Sequence, residues 1–181
     1  MHFKFDITLT DRDYLDYNIF WTLKSPYGKK QLFTFRITIA VIMLVIALLS
    51  LYGGDFSPKA WLGIIPYAVL LLLLELLLDR FFVWSIKGQL AALKKKGKMG
   101  YSPLSKMEFY EQSFVEMTPQ NKTEQIYSAI ERVSIIRDKI VYLHVNNVMS
   151  FLIPFSCFAS REQCDAFIAF IKTKCNNVDT Y

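Results

Sequence analysis

Histidine is scarce in this 181-residue chain, which has only His2 and His144. Cysteine is scarce as well. Cys157, Cys164 and Cys175 fall into no metal-ligand spacing, and three thiols without a disulfide framework fit a reducing compartment. There is no phosphate-binding glycine loop, no HExxH helix and no nucleophile elbow. These absences leave no catalytic residue, no metal site and no cofactor to assign. His144, between Leu143 and Val145, reads as a half-exposed strand histidine, and His2 carries no signal. Cys157 precedes Phe158 and Cys164 lies on the apolar side of a helix, so both read as core. Glu108, Glu111, Glu116 and Glu124 have no histidine within sequence reach and read as a solvated sheet face.

What the chain holds in excess is apolar residues, 53 % of the total, and they are concentrated. Ile37 to Tyr52 is interrupted only by the hydroxyls of Thr38, Ser50 and Tyr52. With Gln31 to Phe35 in front it makes a helix of about twenty residues, about 30 Å long, enough to cross a bilayer. A second run extends from Trp61 to Leu78, and Trp61 and Trp84 lie near its ends, where amphipathic rings prefer the headgroup level. Two such runs side by side in a short chain argue against buried helices of a soluble core. The segment between them, Gly53 to Ala60, is a turn too short for a domain. The expectation is therefore a transmembrane hairpin over residues 31–96, including an extension of its second helix beyond the membrane. A signal peptide is not expected, because the first run begins late and the second follows directly.

Charge sets the expected orientation. Lys24, Lys29, Lys30 and Arg36 flank the first run. Arg80, Lys87, Lys94, Lys95, Lys96 and Lys98 follow the second, with no acidic residue from Arg80 to Lys98. The connecting turn has only Lys59, offset by Asp55, so the positive-inside rule places both termini in the cytoplasm. Lys94, Lys95, Lys96 and Lys98 are candidate contacts for anionic lipid headgroups, at about 1 kcal/mol per basic residue near the surface. A generic topology-setting charge run is the competing reading. Nucleic acid is not expected as a partner, because the run adjoins a membrane segment.

Glu75 interrupts the second apolar run and needs a partner or a proton. At 1.5 Å per residue it lies about 21 Å below Trp61, and Arg36 lies about 24 Å below Tyr52. The two charges thus share a level near the inner boundary, and Asp79, one turn on, can join them. Arg36, Glu75 and Asp79 are expected to form a structural ion cluster. The sharper alternative is a polar contact to a membrane-protein partner or a second copy of the chain, or a proton-sensitive element.

Outside the hairpin the pattern changes. Phe3, Phe5, Ile7 and Leu9 alternate with polar residues as in a half-buried strand. One strand cannot stand alone, so it is expected to cross back to the distal domain, in one sheet with Ile140 to Val145. Thr10 or Asp11 can cap a helix bearing the stripe Tyr14, Tyr17, Phe20 and Trp21, which packs on the domain or on the extension of the second helix, or else lies in the membrane interface. Ser25-Pro26-Tyr27-Gly28 ends it, closing an N-terminal part over residues 1–30. Gly97, Gly100 and Ser102-Pro103 separate the hairpin from residues 101–176. There Lys106 to Val148 reads as strands with a phase shift near Phe114, and a turn is expected at Arg137-Asp138-Lys139. Met149 to Ile153 is the next strand. Ser160, with Gln163 three positions on, caps a final helix whose apolar face is Cys164, Phe167, Ile168, Ile171 and Cys175. Residues 176–181 read as frayed.

Phe109-Tyr110, Phe114, Tyr127 with Ile130 and Val133, Tyr142-Leu143, Ile153-Pro154, Phe158 and Phe167 to Phe170 together resemble the C-terminal domain of the YcxB-like membrane proteins of bacteria. The hairpin and the Ser25-Pro26-Tyr27-Gly28 approach fit the same family. The resemblance implies an α+β membrane protein: a two-pass anchor in the bacterial cell membrane, carrying a cytoplasmic pleckstrin-homology-like antiparallel β domain closed by a C-terminal helix. Family members often place a basic residue after the Ile-Pro, whereas this chain has Phe155. A basic contact there does not carry over, and no biochemical activity comes with the resemblance. The expected function is a membrane-tethered binding or accessory module. The alternative is an oligomeric transport-related or enzymatic protein, since two helices enclose no pore by themselves.

Overall fold

The computed structural model describes residues 1–52, 62–97, 99–146 and 149–181. The expected turn at 53–60, Trp61 and Lys98 lie outside them. The chain divides into two compact units, Met1–Asp13 with Met99–Tyr181, and Tyr14–Lys98. Among the described residues the architecture is α+β, with four α-helices and two four-stranded sheets.

The first sheet runs in the order β1 (Phe3–Thr8), β2 (Leu104–Phe109), β3 (Ser113–Met117), β4 (Lys122–Ile126), all antiparallel. The N-terminal strand does cross back to the distal domain, but not to the sheet expected for it. It pairs with β2, placing Phe3 opposite Phe109 and Phe5 opposite Met107. The reason is that both flanks of Ile140–His144 are already taken by other strands. The phase shift near Phe114 is a tight reversal, in which the Tyr110 amide donates to the Ser113 carbonyl at 2.8 Å.

The second sheet has the order β7 (Ser150–Pro154), β6 (Ile140–His144), β5 (Arg132–Ile136), β8 (Val178–Thr180). The β5–β6 hairpin turns at Arg137-Asp138-Lys139, where Asp138 takes the left-handed conformation with φ 56°. Residues 176–181 are not frayed. β8 lies parallel to β5, and the Tyr181 amide donates to the Ile135 carbonyl at 2.9 Å. Sequence periodicity has no purchase on a strand of three residues.

Between the sheets and the final helix, Arg161–Lys174, lies an aromatic core. Phe167 meets Phe3, Phe5, Phe109 and Phe158 with ring centroids 4.9 to 5.5 Å apart. Phe114 reaches the second sheet through an edge contact to Phe151 at 4.9 Å. The helix starts as its sequence predicts. The Gln163 amide donates to Ser160 Oγ at 3.3 Å, and the Gln163 side-chain oxygen accepts from the Ala159 amide at 2.7 Å. Cys164, Phe167, Ile171 and Cys175 are buried.

The second unit is helical. Helix α1 (Asp11–Ile19) starts at the unit boundary, where Thr10 and Asp13 cap each other reciprocally at 2.9 and 3.2 Å. A π-helical turn, Phe20–Lys24, follows and stops at Ser25. Helix α2 spans Pro26–Tyr52, starting earlier than the hydropathy pattern suggests, and helix α3 spans Ile65–Lys95. The final helix is therefore α4.

Candidate functional site: a charge cluster between two long helices

Ser25 and Gly28 position the start of α2. Ser25 is buried, and its hydroxyl accepts from the Gly28 amide at 2.9 Å while donating to the Trp21 carbonyl. A Cβ at position 28 would stand 2.2 Å from the Trp21 carbonyl oxygen, so only glycine lets α2 approach the π-helical turn. Pro26, in the first turn, has no amide to leave unpaired.

From that start, α2 brings Arg36 to α3. Its Nη2 donates to Asp79 Oδ1 at 2.9 Å, and its Nε stands 3.4 Å from Glu75 Oε2. Glu75 and Asp79 are four residues apart, so they project from one face of α3. The structure thus brings together the three charges picked from the sequence. Nε is shielded from solvent without completing a hydrogen bond. With both carboxylates ionised, the cluster holds one negative charge in excess. Next to it Phe35 meets Phe82 edge-on at 5.8 Å. Partners rise in number along α2 as they fall along α3, the antiparallel sense.

Pro26–Ser50 is long and apolar enough to cross a membrane, and only 6 % of its most apolar stretch is buried. Large apolar side chains of α3 are exposed as well, including Leu72, Leu76 and Phe81. The charges Glu75, Asp79 and Arg80 break its apolar run. Lys94 and Lys95 occupy its last turn and Lys96 its C-terminal cap, where cations suit the helix dipole. They are exposed.

The β-rich unit holds a polar site that the sequence reading missed. His144 is not half-exposed but buried, with Nδ1 2.8 Å from Ser150 Oγ and Nε2 3.1 Å from Ser134 Oγ. Burial, helped by the positive charge of Arg132, pushes its pKa down to about 4, so the imidazole is neutral near pH 7. Pairing places Ser134 and Ser150 on the strands flanking His144, information that no single strand carries. Ser134 is wholly buried, which gives a substrate no approach to the pair. Burial also pushes the thiols of Cys157 and Cys175 up to about 12 and about 11, so neither is a ready nucleophile.

Three of the four sheet glutamates do face solvent or surface partners. Glu108 lies 3.1 Å from Lys4, and the Tyr110 hydroxyl, ahead of Lys4, holds its carboxyl below the usual range. Glu111 pairs with Lys174 and His2, and Glu124 accepts from the Ser113 hydroxyl at 2.7 Å. Glu116 departs from that expectation. Opposite Met107 it takes the inward-facing register, and burial raises its pKa against the lowering effect of a hydrogen bond with Ser105. Among the described residues no group of three or more histidines, cysteines or carboxylates could hold a metal ion.

Residues 109–171 match the family model described as YcxB-like protein. The match starts at Phe109 and ends at Ile171, taking in the reversal, the second sheet's β5–β7 and most of α4, so the resemblance to the YcxB-like family holds over this part of the chain. No curated protein and no solved structure matches the chain.

Proposed function

We propose that the chain is a two-pass anchor of the bacterial cell membrane whose YcxB-like domain, of pleckstrin-homology-like build, serves as a binding or accessory module on the cytoplasmic side. One observation carries this reading. The apolar stretch of α2 is 6 % buried, and a helix so apolar is stable only if lipid or protein covers it. The Arg36–Glu75–Asp79 cluster supports two spans rather than one, because it gives the charged residues of α3 a partner on α2 at the level where both would leave the hydrocarbon. The basic residues on the same ends of both helices support cytoplasmic termini. Two sheets closed by α4 support the pleckstrin-homology-like reading, and a module of that kind offers loops or a sheet edge to a peptide or headgroup.

The test is topological. Phe56→Cys places a thiol in the connecting segment, and an impermeant maleimide added to intact cells should label it. Cys164 and Cys175 should react only after the cells are opened and the protein is denatured. Labelling of Cys175 in unbroken cells would overturn the orientation, and a protein washed from membranes by alkaline carbonate would overturn the anchor.

A further inference from the structure

The helical unit contains a cavity of about 810 Å³, built by the start of α2, the π-helical turn and α3. Its walls are aromatic. Trp21 and Tyr27 stack at 5.6 Å on one side, and Phe35 and Phe82 meet edge-on at 5.8 Å on the other. Gly28 is part of the lining, and the close approach it permits holds the Trp21 side in place.

The charges and polar groups along this cavity are asymmetric. Lys30, Thr34 and Thr38 share one face of α2 and all line it. From Lys30 to Thr38 the helix rises about 12 Å. Among the described residues that line it, Lys30 is the one with a charge, so one end is cationic and the other carries hydroxyl and ring surface. Phe35 and Phe81, which line the cavity, are themselves exposed and belong to the uncovered apolar surface of the helix pair. A molecule from the lipid phase can therefore enter without crossing water.

We propose that this cavity holds one anionic phospholipid, with its phosphate against Lys30 and an acyl chain lying along Thr34, Phe35 and Thr38. The inference rests on the membrane-spanning reading of α2. It is distinct from lipid contact by Lys94, Lys95 and Lys96, which do not line the cavity and begin about 18 Å further along α3 than Phe82. The asymmetry selects an amphiphile over an apolar peptide, and the lone cation selects a negative headgroup over a zwitterionic one.

The experiment uses the full chain in nanodiscs of equal parts phosphatidylcholine and phosphatidylglycerol, released into mild detergent and weighed by native mass spectrometry. One phosphatidylglycerol should stay with the wild type. Thr34→Trp fills the cavity and should remove the bound lipid. Lys30→Gln, an exposed change that leaves the packing alone, should keep a lipid but lower the phosphatidylglycerol preference about fivefold. Equal retention by the wild type and Thr34→Trp, an unchanged preference in Lys30→Gln, or a bound fatty acid in place of phospholipid would each overturn the proposal. Carbonate extraction of the same samples separates the two claims. Wild type that remains in the membrane yet retains no lipid overturns this site alone, whereas wild type lost from the membrane overturns the anchor.

Discussion

Met107, Phe109 and Phe167 are wholly buried in the β-rich unit, whereas Leu49, Leu76 and Trp84 of the helical unit are each more than half exposed. The same kinds of side chain thus meet opposite fates in the two units. In the first, aromatic rings close on one another and exclude water from between two sheets. In the second, apolar residues point outward and the polar contacts lie between the helices, at Arg36, Glu75 and Asp79. The first arrangement suits water, and the second leaves apolar surface that water covers at a cost. The contrast also tells where mutations act, because the first unit depends on packing volume and the second on a few charges.

The largest effect should come from breaking the packed core. Phe167→Ala removes a ring that touches both β1 and β2, and should cost about 3–5 kcal/mol in chemical unfolding of the β-rich unit. Membrane insertion of the same variant should be unchanged. A loss of insertion equal to the loss of domain stability would show that the two units do not behave separately.

Next in size is a pH effect confined to the β-rich unit. The pKa of His144 is about 4 in the folded chain against 6.5 for the free group, so the unfolded chain takes up the proton first as pH falls. The stability it contributes is complete above about pH 6.5 and is lost progressively down to about pH 4, to a total of about 3 kcal/mol. His144→Gln should flatten the stability profile in that window. Denaturant melts of both proteins across it provide the check, and parallel profiles would refute the burial argument.

The smallest expected effect is in the helical unit. Arg36→Gln and Glu75→Gln should each lower stability in detergent, and their double-mutant cycle should show a coupling of about 0.5–3 kcal/mol. Simple additivity would mean that the ion cluster does not hold the helices together. Unchanged stability with loss of a captured partner would move the cluster from structure to recognition.

How much of this was legible in advance depended on how local the cause was. The caps at Thr10 and Ser160 and the turn at Asp138 lie within a few residues of sequence, and they read correctly. Arg36, Glu75 and Asp79 do lie together, because helix rise converts residue number into distance along each helix. β1 was legible as a strand but its neighbour was not, since alternation tells which face is apolar and not which edge is free. Glu116 and His144 misled for a related reason. Their facing is set by register with Met107, Ser134 and Ser150 on other strands, and an isolated stretch shows none of it.

Two long helices, one of them apolar enough to cross a membrane, and a β-rich remainder follow from composition and periodicity alone, because hydropathy acts on each segment separately. Tertiary structure decided the rest. It placed β1 beside β2, recruited β8 into a parallel pairing, enclosed His144 between two serines and left a cavity above Phe35 and Phe82. Each of these depends on chain segments distant in sequence competing for one place, and that competition is resolved only when the whole chain packs.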